Sequence, residues 1–174
     1  HQTMPRHVYL YPLPYEYYTD LAVRRYGFHG TSHRYVAKGA AKAMRRELKD
    51  LNLITCHLGN GASITAVKNG LCFDTSMGLT PLAGIMMGSR CGDVDPSAVT
   101  YVAKQRNIPP EKLDAIMNKQ SGLLGICGRN DMRDVHEACR NGDEMAKLAF
   151  DMFIYRIQKC LQCPAFFKVF HGEA

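Results

Sequence analysis

Three short segments of this chain combine glycine with side chains able to meet an anion. In His57-Leu58-Gly59-Asn60-Gly61-Ala62-Ser63, glycines flank an asparagine between two runs of strand character. Glycine leaves backbone N–H groups uncovered, so a phosphate can approach them closely. Asn60 tolerates a left-handed conformation and supplies an amide donor, and His57 at the strand end can donate to a phosphate oxygen. Asn-Gly is also the ordinary chemistry of a type I′ hairpin turn, and pattern alone favours that plainer reading.

The second segment is Gly27-Phe28-His29-Gly30-Thr31-Ser32-His33. A histidine between glycines at a helix entrance packs poorly but contacts anions well, because a helix N-terminus attracts negative charge. His29 and His33 have helical spacing for a metal, yet no third ligand or carboxylate accompanies them, so no metal is expected there. His33 reads as a satisfied histidine of a first helical turn. The third segment is Met87-Gly88-Ser89-Arg90-Cys91-Gly92-Asp93-Val94-Asp95-Pro96. A guanidinium in an apolar loop needs a partner, and its planar fork suits carboxylate or phosphate. Asp93 or Asp95 would satisfy Arg90 internally; the functional alternative is a clamp on a transferring phosphoryl group. Asp95 before Pro96 reads as a helix cap rather than half of a metal pair. Gly128-Arg129-Asn130-Asp131-Met132-Arg133 is a weaker signal, a polar turn that caps a helix or touches a nucleotide. Cys160-x-x-Cys163 has redox spacing without the strand-to-helix context of a redox site, so chance spacing is the better reading.

The bulk composition narrows the setting. The chain has 174 residues, 46% hydrophobic and 22% charged, as in a globular protein able to bury a substantial core. Its 22 Lys and Arg against 16 Asp and Glu leave a net charge of +6, scattered rather than striped. No nucleic-acid-binding motif accompanies it, and a small anionic ligand accounts for the charge equally well. No apolar run approaches the ~18–20 residues of a membrane span, and no signal-peptide zoning is present. Seven cysteines, an odd number without framework spacing, read as reduced thiols of a cytoplasmic protein. The first residue is His1 rather than Met, so the expectation is a chain whose natural beginning lies upstream.

The elements that must hold these segments follow from periodicity and turn chemistry. Residues 1–20 carry Pro5, Pro12 and Pro14 among tyrosines, which predicts an extended, turn-rich segment. Thr31-Ser32 offers an N-cap for a helix from His33 to Leu48, with Arg45, Arg46 and Lys49 complementing its dipole. Residues 51–58 read as a buried strand. Residues 62–67 read as a second strand whose polar positions alternate outward, and 71–75 as a third, joined by Asn69-Gly70. The Gly- and Met-rich stretch 77–92 looks like a buried loop. Helices are expected from Pro96 to Gln105, over 111–120 and over 142–162.

Taken together, Tyr26-Gly27-Phe28-His29-Gly30-Thr31-Ser32-His33, the His57–Ser63 segment and Gly88–Pro96 closely resemble acetate kinase in motif, order and interval. The resemblance runs from His1 to about Lys159 and overturns the plain hairpin reading. It implies an α/β, ribonuclease H-like ATPase fold of the actin, Hsp70 and sugar-kinase type, a mixed sheet with flanking helices. It also implies reversible transfer of the ATP γ-phosphoryl group to acetate or another short-chain carboxylate, giving acetyl phosphate and ADP with Mg²⁺. Carried over by motif, His29 and Arg90 are the catalytic pair. His57, Leu58, Gly59, Asn60 and Gly61 form the phosphate hairpin, and Asp131, Met132 and Arg133 make a further nucleotide contact.

Family members are longer two-domain homodimers. The resemblance therefore implies that the catalytic Asp, the amino-terminal phosphate loop, the Mg²⁺ ligands and the adenine-site motif lie outside this chain. The expected division is an interdomain segment over 1–20, a partial nucleotide-binding domain over 21–159 and a divergent tail over 160–174. Two functions are carried forward: an acetate kinase seen as part of its chain, and a catalytically inactive interaction or dimerisation module derived from one. Neither nucleic acid nor membrane is an expected partner.

Overall fold

The computed structural model describes residues 1–162. The amino-terminal segment departs from the extended expectation. It forms helix α1 (Arg6–Tyr9) and helix α2 (Glu16–Leu21), joined by irregular backbone. The prolines do not prevent this because they stand ahead of the helices. Pro5 is the residue before α1, and Pro14 precedes Tyr15, from which α2 begins, so their missing N–H groups are not needed. The segment is pinned by arginine. Arg24 lies over the Tyr9 ring at 3.7 Å, and the Arg25 guanidinium reaches the Val8 carbonyl at 3.1 Å and the Asp74 carboxylate at 2.9 Å.

Helix α3 (Gly30–Met44) begins and ends earlier than periodicity predicts. His29, left-handed at φ 60°, occupies the position before it, so Thr31 and Ser32 fall inside the first turn instead of capping it. Arg45, also left-handed at φ 52°, closes the other end, and the Arg46 N–H bonds back to the Ala41 carbonyl. Arg45 and Arg46 therefore terminate the helix rather than extend its last turn. A short 3₁₀ turn, Leu48–Asp50, leads into the sheet.

Strands β1 (Leu53–Leu58), β2 (Ala62–Lys68) and β3 (Leu71–Thr75) form an antiparallel meander in the order β1-β2-β3. The register pairs Leu58 with Ala62 across the first turn and Lys68 with Leu71 across the second. β1 is less buried than expected, with Thr55 its only fully buried residue, because it flanks the described sheet. β2 shows the opposite departure. Ala62 through Val67 are all buried, so Ser63 and Thr65 do not point outward to solvent. One face of the strand, Ala62, Ile64 and Ala66, packs with Met77, Ile85 and Met87. The other face is turned toward α3: the Ser63 hydroxyl meets His33, the Thr65 hydroxyl meets that of Thr75, and the Thr65 carbonyl accepts from the Thr55 hydroxyl.

The stretch 77–92 is a buried loop, as expected, and it runs between two apolar clusters. Met87 joins the sheet cluster, while Met86 joins Leu123, Val135, Ala138, Ala146 and Ala149 in a helical one. Helices α4 (Pro96–Gln105), α5 (Pro110–Lys119), α6 (Gly122–Cys127), α7 (Met132–Arg140) and α8 (Glu144–Leu161) follow. α6 and α7, six and nine residues long, span too few turns to register as periodic segments. α8 ties the clusters together, because Ile157 packs against the sheet cluster while Ala146 and Ala149 belong to the helical one. Cys163 and the tail beyond it lie outside the described residues.

Candidate functional site

The loop backbone that α3 inherits from His29 decides where that side chain goes. The left-handed turn brings the ring back over the start of β2, with Nδ1 2.8 Å from the Ser63 hydroxyl. His57, near the end of β1, stacks on His29 with ring centroids 4.0 Å apart and planes 20° apart. His57 is held by the hydroxyl of Ser32, 2.9 Å from its Nδ1. One helical turn along α3, His33 is buried between two hydroxyls. Its Nε2 lies 2.8 Å from Ser63 Oγ and its Nδ1 2.8 Å from Thr55 Oγ1.

Arg90 approaches the same place from the buried loop. A Cβ built on Gly61 would stand 3.2 Å from Arg90 Nη1 and 3.4 Å from His29 Nε2. A guanidinium and an imidazole nitrogen thus flank one point above the hairpin backbone, and the missing side chain of Gly61 is what leaves room for both. The internal ion pair expected for Arg90 is not made. Asp93 accepts from the Gly84 N–H and Asp95 caps α4 through the Ser97 N–H, each at 2.8 Å. Among the described residues, every ion pair engages another cation: Arg25–Asp74, Arg129–Asp143, Arg133–Asp131 and Lys147–Asp151. Both aspartates were needed for backbone geometry, which leaves the Arg90 fork without a carboxylate.

The hairpin is fixed to the loop through its own carbonyl. The Gly88 N–H donates to the Asn60 carbonyl at 3.4 Å, and a Cβ on Gly88 would meet the Asn130 carbonyl at 2.8 Å. That contact draws the polar turn 128–133 to the rim. Asp131 caps α7 through the Arg133 N–H at 2.9 Å and pairs with the Arg133 guanidinium at 2.6 Å. The bonds from Arg133 hold the exposed Asp131 carboxyl down at a pKa of about 2. Met132 packs its side chain into the helical cluster. The structure therefore gathers His29, His57, Gly59, Asn60, Gly61 and Arg90, sets Asp131 and Arg133 nearby as a mutual pair, and uses Met132 for packing. Leu58 is half exposed beside the hairpin.

The electrostatics are those of basic groups crowded together, each disfavouring the protonation of the next. Burial first, then neighbouring His57, then Arg90 lower the His29 pKa. His33 is lowered to about 4 by burial, by His29 and His57, and by the amino-terminal charge. An anion entering this place would relieve that repulsion. Sequence reasoning missed Ser63, Thr55 and Ser32 as partners of the histidines. The available signal was the small hydroxyl residues on β1 and β2 beside a helix that carries His33 in its first turn and His29 just before it. A cavity of about 600 Å³ lies between α3 and strands β2 and β3, lined by His33, Arg34, Lys38, Leu48, Val67 and Cys72 among others, and it includes none of His29, His57 or Arg90. Among the described residues, no group of three or more His, Cys, Asp or Glu side chains is arranged to hold a metal ion.

The sequence and the fold have counterparts among known proteins. The model of the acetokinase family matches residues 1–167. The chain belongs to the acetokinase family. It is 63% identical over 161 residues to the acetate kinase of Lawsonia intracellularis (strain PHE/MN1-00), covering 92% of this chain and 40% of that protein. It is 61% identical over 159 residues to the acetate kinase of Nitratidesulfovibrio vulgaris (strain DSM 19637 / Miyazaki F), covering 91% of this chain and 39% of that protein. Among solved structures, it superposes on Porphyromonas gingivalis acetate kinase with a TM-score of 0.90 at 47% identity, over 92% of this chain and 40% of that one. A propionate kinase from Francisella tularensis subsp. tularensis SCHU S4 gives a TM-score of 0.93 at 47% identity, over 98% and 44%. The fold is thus that of the acetate and propionate kinases, and the chain spans about two fifths of the length of the curated relatives it matches. No helix among the described residues is long and apolar enough to cross a membrane.

Proposed function

We propose that this chain carries the phosphoryl-holding part of an acetate kinase, an enzyme that moves the γ-phosphoryl group of ATP reversibly to acetate or another short-chain carboxylate. One observation carries the reading: Arg90 and His29 converge on the backbone of Gly61, and among the described residues no carboxylate occupies the Arg90 fork.

In the forward direction an acetate oxygen forms a bond to the γ-phosphorus while the bond to the β,γ-bridging oxygen breaks. The products are acetyl phosphate and ADP. The transition state is largely dissociative and spreads negative charge over three equatorial oxygens, so catalysis rests on positioning and charge stabilisation. Arg90 supplies a planar pair of donors to those oxygens, and His29 meets them from the opposite side of Gly61. His57 stacks behind His29 and limits its rotation. The Gly59-Asn60-Gly61 turn leaves the backbone open for a phosphate, and Asp131 and Arg133 mark the rim where the nucleotide would continue.

The test is phosphoryl transfer from Mg-ATP to acetate, and separately to propionate, by this chain alone and by the chain joined to the preceding family segment. Thermal unfolding with and without Mg-ATP is measured alongside. A ligand that binds only the folded form at a hundred times its Kd adds roughly 2.7 kcal/mol of stability. A raised midpoint with transfer restored by the joined segment supports the proposal. A raised midpoint without transfer in either form points to the inactive binding module, and an unmoved cooperative transition counts against a nucleotide site.

A further inference from the structure

We infer that Thr55 and Ser63 set the tautomer of His29, so that its cleft-facing Nε2 carries a lone pair in the neutral ring and donates a hydrogen bond only after the ring takes a proton from solvent. The inference rests on the proposed phosphoryl site for its consequence, though not for its geometry.

The chain of bonds begins at an atom that can only accept. Thr55 Oγ1 lies 3.4 Å from the Thr65 carbonyl, and a carbonyl takes the hydroxyl proton. The Thr55 oxygen, its proton committed, accepts from His33 Nδ1 at 2.8 Å. A neutral imidazole has one N–H, and His33 is kept neutral by burial, so its Nε2 is an acceptor. The Ser63 hydroxyl must donate to that Nε2 at 2.8 Å. Its single proton is then used, and toward His29 Nδ1, also at 2.8 Å, Ser63 can only accept. His29 therefore holds its proton on Nδ1.

Running the chain backwards is worse in two ways. Thr55 would turn to His33 and release the Thr65 carbonyl, with the loss of one hydrogen bond. His29 would then aim Nε2–H toward the space it shares with Arg90 Nη1, setting one donor against another. The groups facing His29 are His57 stacked from β1, Arg90 from the loop and His33 from α3. None of them is an acid that could supply the missing proton at Nε2. A phosphoryl oxygen needs a donor there, so each anion bound brings one proton from solvent onto Nε2. The resulting imidazolium donates through Nδ1–H to Ser63 and through Nε2–H to the anion.

Ring-nitrogen NMR of the full chain with ¹⁵N-labelled histidine, at mildly alkaline pH, reads the tautomer directly. The native chain should show His29 protonated on Nδ1. Thr55→Val keeps the shape but removes the acceptor for His33, so His33 should move its proton to Nε2, Ser63 should turn, and His29 should switch to Nε2–H. In the double variant carrying Ser63→Ala as well, the His29 tautomer should no longer follow the change at Thr55. A native His29 protonated on Nε2, or a folded Thr55→Val chain whose His29 is unchanged, overturns the inference. If Thr55→Val does not fold, the native spectrum decides alone. Inorganic sulfate, which carries no proton of its own at this pH, is the second probe, and binding should add one proton to the His29 ring. Sulfate bound against Nε2 of a His29 that remains neutral overturns the inference. A native Nδ1–H tautomer with no response to sulfate upholds the relay and counts against the phosphoryl site.

Discussion

Two hairpins, ten residues apart, are built from the same residue types and do different work. The second, Asn69-Gly70, has φ of 50° and 77°, the left-handed pair of a type I′ turn that matches strand twist. Its glycine is required by backbone conformation, and a Cβ there would also press on the Leu48 carbonyl at 2.9 Å. The first, Gly59-Asn60-Gly61, contains no positive φ. Asn60 does not use the left-handed conformation available to it, and the type I′ reading fails. Gly61 is there for space, because His29 and Arg90 approach it from two sides. Glycine in one turn serves the chain's own path; in the other it serves whatever approaches the chain.

That contrast is open to attack at several points. The largest effect is expected from Arg90→Ala, which removes the fork that faces the first hairpin. In an active form of the enzyme it should lower phosphoryl transfer by roughly 10²–10³-fold, while thermal unfolding stays close to native. A comparable loss of stability would mean that Arg90 holds the loop rather than a ligand.

Acid should separate the two hairpins next. His33, bonded to hydroxyls of β1 and β2, has its pKa lowered to about 4, below its ordinary 6.5. Between those values the unfolded chain binds the proton and the folded one does not. The contribution of a neutral His33 is therefore complete above the ordinary value and fades as pH falls toward the lowered one, by up to about 3 kcal/mol. His29 is shifted in the same direction. Hydrogen exchange followed down this range should show β1–β2 amides losing protection, and His33→Gln should flatten the dependence. Denaturation profiles with the same slope in native and variant chains would sink the assignment.

Gly61→Ala and Gly70→Ala sharpen the comparison as a pair. The first should weaken phosphoryl transfer by up to about 10²-fold through displacement of Arg90 and His29, with little change in unfolding. The second forces a side chain into left-handed backbone and should destabilise by about 1–3 kcal/mol, with transfer per folded molecule preserved. If both variants move the same observable, the division of labour between the turns is wrong. The smallest effect belongs to Asn69→Ala, about 1 kcal/mol or less in chemical denaturation, since asparagine only eases a conformation that alanine resists.

Much of this was legible in the residues. Pro96 and Asp95 marked the start of α4 because proline suits a first helical turn and aspartate caps it. The meander followed from its two turns, and the buried loop from a run of methionine and glycine with few charges. Less legible were positions where tertiary contact overrides local preference. The left-handed residue that opens α3 is a histidine and the one that closes it an arginine, neither a customary choice, so both ends were misplaced. Ser63 and Thr65 alternate as polar residues do on a half-solvated strand, yet both are buried, Ser63 against His33 of α3 and Thr65 against the Thr75 hydroxyl of β3. Arg25, a basic residue among tyrosines in sequence, is spent inside on Asp74, where burial outweighs the ion pair and raises the carboxyl pKa.

The sequence by itself determined which family motifs are present, their order, and the residue types able to meet a phosphoryl group, because those depend on local chemistry and spacing. Only the tertiary structure decided that Arg90 meets no carboxylate among the described residues, that Gly61 is the meeting point of His29 and Arg90, and that the hydroxyls of Thr55 and Ser63 enclose His33. Each of these joins residues from different elements, and such contacts are set by how β2 is packed between α3 and the buried loop.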